Sequence, residues 1–217
     1  MTPAKRAFDI VLALVLGLVL LPPLALLLLV LLATSGRPLF YGSERMKTPE
    51  RGFTLWKLRT MTVVRDDAGV SGGDKSTRIT PAGRILRRTR LDEIPQLWNV
   101  LRGDMSFVGP RPPLRQYVER FPDLYARVLR SRPGITGLAT LRYHRHEERL
   151  LARCGSAAQT DLVYARRCVP RKATLDLIYQ RNRTLCLDLA LVGETAARAL
   201  CVRASRMRTR RPTRLHM

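Results

Sequence analysis

FDIVLALVLGLVLLPPLALLLLVLLA, from Phe8 to Ala33, carries one charge, Asp9, in its whole length. A helix needs roughly 20 apolar residues to cross a bilayer, so the run is long enough. Three readings compete for it. A secretory signal would use Lys5 and Arg6 as its basic start, but such apolar regions run only ~7–15 residues, and Ala33-Thr34-Ser35 is a poor cleavage site. A continuous span is the ordinary second reading. The third is a helix that enters and returns. Pro22 and Pro23 sit at its centre, where two missing N–H donors and two ring clashes favour a sharp bend. Basic residues flank both ends, Lys5 and Arg6 before, Arg37, Arg45 and Lys47 after, and the positive-inside rule then prefers both flanks in the cytoplasm. A straight span cannot satisfy that preference, whereas a returning helix can, provided the carbonyls freed by the prolines find partners at depth. On these grounds span and hairpin both stay open.

Outward from this run, 217 residues give one domain with appendages. Lys and Arg total 39 against 17 Asp and Glu, a net charge of +22 that calls for an anionic partner: nucleic acid, acidic lipid headgroups or a phosphorylated substrate. Aromatic residues are only 6% and do not alternate with basic ones as a base-stacking platform would, and no nucleic-acid motif occurs. Cys154, Cys168, Cys186 and Cys201 are widely spaced and form no CxxC pair, so reduced thiols and no zinc site are expected.

The fold class expected is α/β, mainly helical, with residues 1–36 in the membrane, a catalytic body over 37–203 and a basic disordered tail over 204–217. Arg37 to Tyr41 leaves the membrane as a short extended piece. Gly52 to Arg59 alternates as a strand, with Trp56 and Leu58 on the face opposite Phe53 and Leu55. Asp66 to Ser76 has loop composition. Thr80-Pro81 opens a helix that turns Ile85 and Leu86 inward and presents Arg84, Arg87 and Arg88. Pro95 opens a short helix that Gly103 ends. Arg132 to Gly137 reads as a turn. Glu147 to Arg153, Asp161 to Arg167, Lys172 to Arg181 and Leu187 to Arg203 read as helices.

Within RTRLDEIPQLWNVLRGDMSFVGPRP, Arg88 to Pro112, the adjacent pair Asp92 and Glu93 precedes the Pro95 helix. Carboxylates at a helix N-terminus have an ordinary capping explanation. They also have a chemical one. The same field would lower both pKa values and keep both groups ionised; an ionised Asp can attack phosphorus, and a neighbouring Glu can hold a divalent metal. Arg87 and Arg111, the latter in the rigid frame Gly109-Pro110-Arg111-Pro112, are the planar clamps that phosphate needs. The pattern alone leaves both explanations standing.

The stretch KSTRITPAGRILRRTRLDEIPQLWNVLRGDMSFVGPRP, Lys75 to Pro112, resembles the signature of the bacterial sugar transferases, the monotopic phosphoglycosyl transferases. KRAFDIVLALVLGLVLLPP, FTLWKLRTM, RPGITGLA and LDLIYQRNRTLCLDL follow the same family in order, so the resemblance covers Lys5 to Leu200. It implies transfer of a phospho-sugar from a UDP-sugar to undecaprenyl phosphate with release of UMP, an initiating step of exopolysaccharide, capsule, O-antigen or glycoprotein glycan assembly. It implies Asp92 as nucleophile of a covalent intermediate, Glu93 as ligand of Mg²⁺, and Lys57, Arg59, Arg87, Arg111 and Arg132 as phosphate- and substrate-binding positions. It further implies a re-entrant helix broken at a Ser-Pro pair. Pro22 matches that proline, Leu21 replaces the serine, and Pro23 adds a second break. The expected setting is the cytoplasmic face of the bacterial inner membrane, against anionic lipids and alongside downstream glycosyltransferases, with no nucleic acid. The family's longer members carry preceding helices, so this chain resembles a minimal form. Residues 145–171 match least and receive no role.

Overall fold

The Thr2 hydroxyl accepts the backbone N–H of Lys5 at 3.3 Å, and Pro3 stands in the first turn, a strong start for the helix α1, Pro3–Ser35. The computed structural model describes residues 1–63 and 73–209. Helical pairing in α1 runs on through Pro22 and Pro23, and Gly36, at φ 65°, ends it. With a mean hydropathy of 2.9, α1 is long and apolar enough to cross a membrane.

One stripe of α1 faces the rest of the protein, at the three- to four-residue spacing of a helix face. Its first half carries the polar ties. Lys5 pairs with Asp188 at 2.6 Å in a buried contact. Arg6 donates to the carbonyls of Val100 and Leu101 at 2.6 and 2.7 Å. Asp9, fully buried, accepts from Ser106 Oγ at 3.0 Å and Phe107 N at 3.1 Å. Beyond these ties, Ala13 joins a core with Val100, Met105, Phe107, Val108, Tyr179 and Leu191. The far end does the same elsewhere: Leu31 packs with Leu58 and Leu86, backed by Leu24, Leu27 and Leu28. The opposite face is bare hydrocarbon, with Leu18 77% exposed and Val19, Leu21, Leu26 and Leu29 alike exposed.

After α1 come the antiparallel strands β1, Phe40–Met46, and β2, Gly52–Leu58, paired from Phe40 with Leu58 to Met46 with Gly52. The expected strand is present, and the extended piece before it is a full strand. Trp56 is exposed as the alternation requires, but Leu55 and Leu58 are both buried, because the strand's end turns under α1. The expected loop over Asp66 to Ser76 lies largely outside the described residues; its end belongs to a 3₁₀ helix, Gly73–Arg78.

Thr80 caps α2, Pro81–Thr89, accepting Gly83 N at 2.9 Å. Only half of the expected apolar pair turns inward. Leu86 is buried and Ile85 is 57% exposed, since adjacent positions lie about 100° apart on a helix. A 3₁₀ turn, Leu91–Glu93, leads to α3, Gln96–Arg102, which Gly103 ends at φ 80°. Asn99 sits buried between α3 and β2. Its Nδ2 donates to Thr54 O at 2.8 Å and its Oδ1 accepts Trp56 N at 3.2 Å, fixing strand to helix.

The expected turn at Arg132 to Gly137 contains a strand instead. β3, Ser106–Val108, and β4, Gly134–Thr136, form a parallel pair. Gly109 and Gly134 allow it: a Cβ on either would strike the other segment's backbone. α4, Arg115–Arg120, α5, Pro122–Val128, α6, Leu138–Leu151, α7, Ala157–Val163, and α8, Val169–Arg181, surround a core of Met46, Tyr117, Val128, Cys168 and Val169. A π-helical turn, Tyr164–Cys168, joins α7 to α8. The last helix, α9, Leu185–Thr209, runs past the expected boundary at 204, while residues 210–217 lie outside the described part.

Candidate active site

The site is assembled where β2, the α2–α3 connection and the segment after β3 meet. Arg90 makes the bend. Among the described residues it is the non-glycine at positive φ, 56°, and its N–H closes the end of α2 onto Leu86 and Arg87 carbonyls. That left-handed corner starts the 3₁₀ turn and points Asp92 and Glu93 inward, 7% and 8% exposed.

Glu93 is enclosed by cations. Oε1 accepts from Arg111 at 3.1 Å and Lys57 at 3.4 Å, and Oε2 from Arg90 at 3.3 Å. Burial works against its charge, but Arg111, Lys57 and Arg90 outweigh burial and hold the carboxyl down at about 2. Asp92 differs. No hydrogen bond or ion pair reaches its carboxylate among the described residues. Burial, helped by the neighbouring Glu93 charge, raises its pKa against the pull of Lys57, Arg87 and Arg111. The expectation that a helix N-terminus would lower both values therefore fails for Asp92. The pair occupies a buried 3₁₀ turn ahead of α3, and desolvation dominates there. Lys57 is itself pulled down to about 8 by burial and by Arg111, against Glu93 and Asp92.

A cavity of about 1280 Å³ opens over the pair, and Lys57, Arg59, Arg87, Arg90 and Arg111 all line it. Arg87 is held at the rim by Thr60 Oγ1, which accepts its Nε at 2.8 Å. Arg59 is turned to the end of α1, donating to Pro38 O at 2.6 Å and Gly36 O at 3.0 Å, so it ties the cavity to the apolar helix. Arg132 is not in this lining. It lies by Gly103 and Arg6, among the charges of Asp9 and Asp104, beneath the start of α1. Pro22 and Pro23 are exposed on α1, away from the cavity. Arg90 and the half-buried Arg45, both lining the cavity, and Asn99 behind β2 were not singled out by sequence as site residues. The positive φ that aims Arg90 has no signal in an arginine codon's neighbours, where glycine or asparagine would have given one.

The metal reading rests on Glu93. Among the described residues no cluster of three or more His, Cys, Asp or Glu could hold an ion. One carboxylate can suit Mg²⁺, which takes one or two from protein and the rest from phosphate oxygens and water.

A buried carboxylate with no hydrogen-bond or ion-pair partner among the described residues thus stands beside one paired with three cations. The family model described as bacterial sugar transferase matches residues 1–201. Over 216 residues the chain is 33% identical to the exopolysaccharide production protein ExoY of Rhizobium meliloti (strain 1021), covering 92% of this chain and 86% of that protein. It is 36% identical over 196 residues to the UDP-glucose:undecaprenyl-phosphate glucose-1-phosphate transferase of Caulobacter vibrioides, covering 88% and 67%. To the protein of that name from Escherichia coli (strain K12) it is 37% identical over 166 residues, 75% of this chain but 36% of that longer one. The matched span takes in the acidic pair and its whole cationic wall, and the chain belongs to the bacterial sugar transferase family, a family of transferases.

Proposed function

We propose that the chain transfers a sugar phosphate from a UDP-sugar to undecaprenyl phosphate, releasing UMP, by a ping-pong route through Asp92. A carboxylate oxygen of Asp92 forms a bond to the phosphorus that bears the sugar, the bridging P–O bond breaks, and UMP leaves with that electron pair. A phosphate oxygen of the lipid then attacks the same phosphorus, and Asp92 departs as carboxylate. The observation that carries this reading is the unequal pair: Asp92 without hydrogen-bond partners among the described residues, Glu93 held by Lys57, Arg90 and Arg111. Those cations are available to a diphosphate in the same cavity, where Arg87 is a further clamp.

Mg²⁺ belongs to the proposal. Glu93 would hold it, and when bound it would supply neutralisation of the phosphate charge that an attacking anion must meet. Lys57 and Arg111 orient the diphosphate, and Arg90 keeps Glu93 ionised.

The membrane reading is a returning helix on the cytoplasmic face of the inner membrane. A 33-residue helix is about 50 Å long, against roughly 30 Å of hydrocarbon. Lys5 and Leu31 nevertheless both pack on the one polar body, through Asp188 and through Leu58 and Leu86. A charged body cannot follow a helix across a bilayer, so contacts at both ends support a helix whose two ends share a side. Anionic lipids are the expected surface, and glycan-building enzymes the expected users of the product.

Purified protein, undecaprenyl phosphate and a panel of UDP-sugars test the function. UMP release dependent on Asp92 supports it; release unchanged in Asp92→Asn would remove Asp92 from the reaction.

A further inference from the structure

The cavity extends well past the phosphate-binding wall. Its inner end is polar yet buried in the helical core, and sequence gave no role to the segment that builds much of it. Lys172 Nζ donates to Glu147 Oε1 at 3.1 Å and to Tyr164 OH at 3.2 Å, and lies 5.0 Å from that ring's centre. Tyr164 is placed by the π-helical turn, a distortion that often marks functional sites. Thr140 and His144 complete the wall from α6. Asp176 is the unexplained member. It is 7% exposed, lines the cavity, and its carboxylate takes no hydrogen bond among the described residues. Burial raises its pKa to about 7, against Lys172.

A buried ion cluster with an unpaired carboxylate stabilises less than apolar side chains of the same volume would. A ligand that fills the hydrogen bonds would account for it. The chemistry narrows the choice. A polyprenyl chain offers nothing to carboxylates. A diphosphate is repelled by Asp176 and Glu147 and has its cations at the other end. A uracil edge presents one N–H between two carbonyls, so two acceptor carboxylates match it poorly. Ring hydroxyls, as vicinal pairs, donate to a carboxylate through both oxygens.

We propose that the inner end of the cavity, formed by Thr140, His144, Glu147, Tyr164, Lys172 and Asp176, holds the hexose ring of the donor, with Asp176 and the second oxygen of Glu147 accepting from ring hydroxyls. The assignment rests on the donor reading above. It makes these residues determinants of which UDP-sugar is used. Arg111 joins the two ends, since it contacts Glu93 and feels the charge of Glu147.

The test uses the full chain in lipid nanodiscs. Asp176→Asn keeps the shape and replaces one acceptor by a donor. kcat/KM for UMP release is measured with UDP-glucose, UDP-galactose and UDP-N-acetylglucosamine, and Kd is measured for UDP alone. Selectivity among the three should change by roughly 10- to 100-fold, through KM, while UDP binding stays unchanged. Thr140→Val, at a half-buried position with no ion pair, should shift selectivity in the same assay and serves if Asp176→Asn does not fold. A uniform loss across all three donors, or an equal loss for UDP, would overturn the assignment and leave Asp176 a core residue. Wild-type protein that fails to bind UDP would overturn the donor reading itself, and the subsite with it.

Discussion

Residue by residue, the site works by unequal treatment of similar groups. Glu93 is kept charged, while Asp92 has no hydrogen-bond partner among the described residues, and in the proposed reaction the first positions charge and the second reacts. The DEIP pair was legible in sequence because its chemistry and its neighbours lie in one short stretch. Arg90 was not, because its role depends on a backbone corner. That corner gives a prediction. Arg90→Gly suits the left-handed conformation and should fold at least as stably as wild type, whereas Arg90→Ala should cost about 1 kcal/mol; both should lower kcat/KM by about tenfold or more through the lost contact to Glu93. Chemical denaturation and UMP release separate the two effects. Asp176 yields a prediction with a sign. Its folded pKa, about 7, lies above the ordinary carboxylate value, so across the intervening range the folded chain holds a proton that the unfolded chain has lost. Its contribution is fully favourable below about 4 and falls as pH rises toward about 7, leaving a penalty of up to about 4 kcal/mol above it. Asp176→Asn removes that penalty, so its gain in Tm over wild type should be larger at pH 8 than at pH 5. Equal gains at both would show that Asp176 titrates normally.

Among the elements, those with a clear cap, alternation or apolar period were legible, the short α3 with them, whereas α6, Leu138–Leu151, was expected only over Glu147 to Arg153. α1, β2, α2, α8 and most of α9 follow from hydropathy, caps and alternation. β4 did not, because three residues of parallel strand have no alternation, and RPGITG has the composition of a turn. The convergence of α6, α8 and the π-helical turn on one polar pocket has no local signal, since its members are far apart in sequence. α1 is tied down at its polar start. Breaking the buried Lys5–Asp188 pair with Lys5→Met should therefore cost about 3–5 kcal/mol by denaturant titration, because Asp188 would remain charged without its cation. A cost under 1 kcal/mol would mean α1 is held by its apolar stripe alone. The two prolines act on topology. With Pro22 and Pro23 both changed to Leu, cysteine labelling should find Thr2 on the periplasmic side and Ser43 in the cytoplasm; with the prolines present both should be cytoplasmic, and periplasmic labelling of Thr2 there would refute the returning helix.

For the whole molecule, the problem posed by the proposed reaction is that one substrate is soluble and the other never leaves the bilayer. In the proposed setting, an apolar helix on a chain of net charge +22 would keep the cavity at that boundary, and each cation near an anionic leaflet would add up to ~1 kcal/mol, screened over ~8 Å at physiological salt. Residues 210–217 hold Arg210, Arg211 and Arg214 and no acid. Deleting them should leave the protein in the membrane, and should raise the KM for undecaprenyl phosphate several-fold in anionic vesicles at low salt while sparing that for the UDP-sugar. Equal changes in both KM values would place the tail's effect elsewhere. One set of cations can serve both phosphates only if they come in turn, which is what a covalent Asp92 intermediate provides. The direct measurement is rapid-quench UMP release with the UDP-sugar and Mg²⁺ but no lipid acceptor, followed by mass spectrometry of the peptide containing Asp92. The account predicts a burst approaching one UMP per active site and one sugar phosphate added to Asp92, both absent in Asp92→Asn. UMP that appears only when undecaprenyl phosphate is present, with Asp92 unmodified, would contradict it.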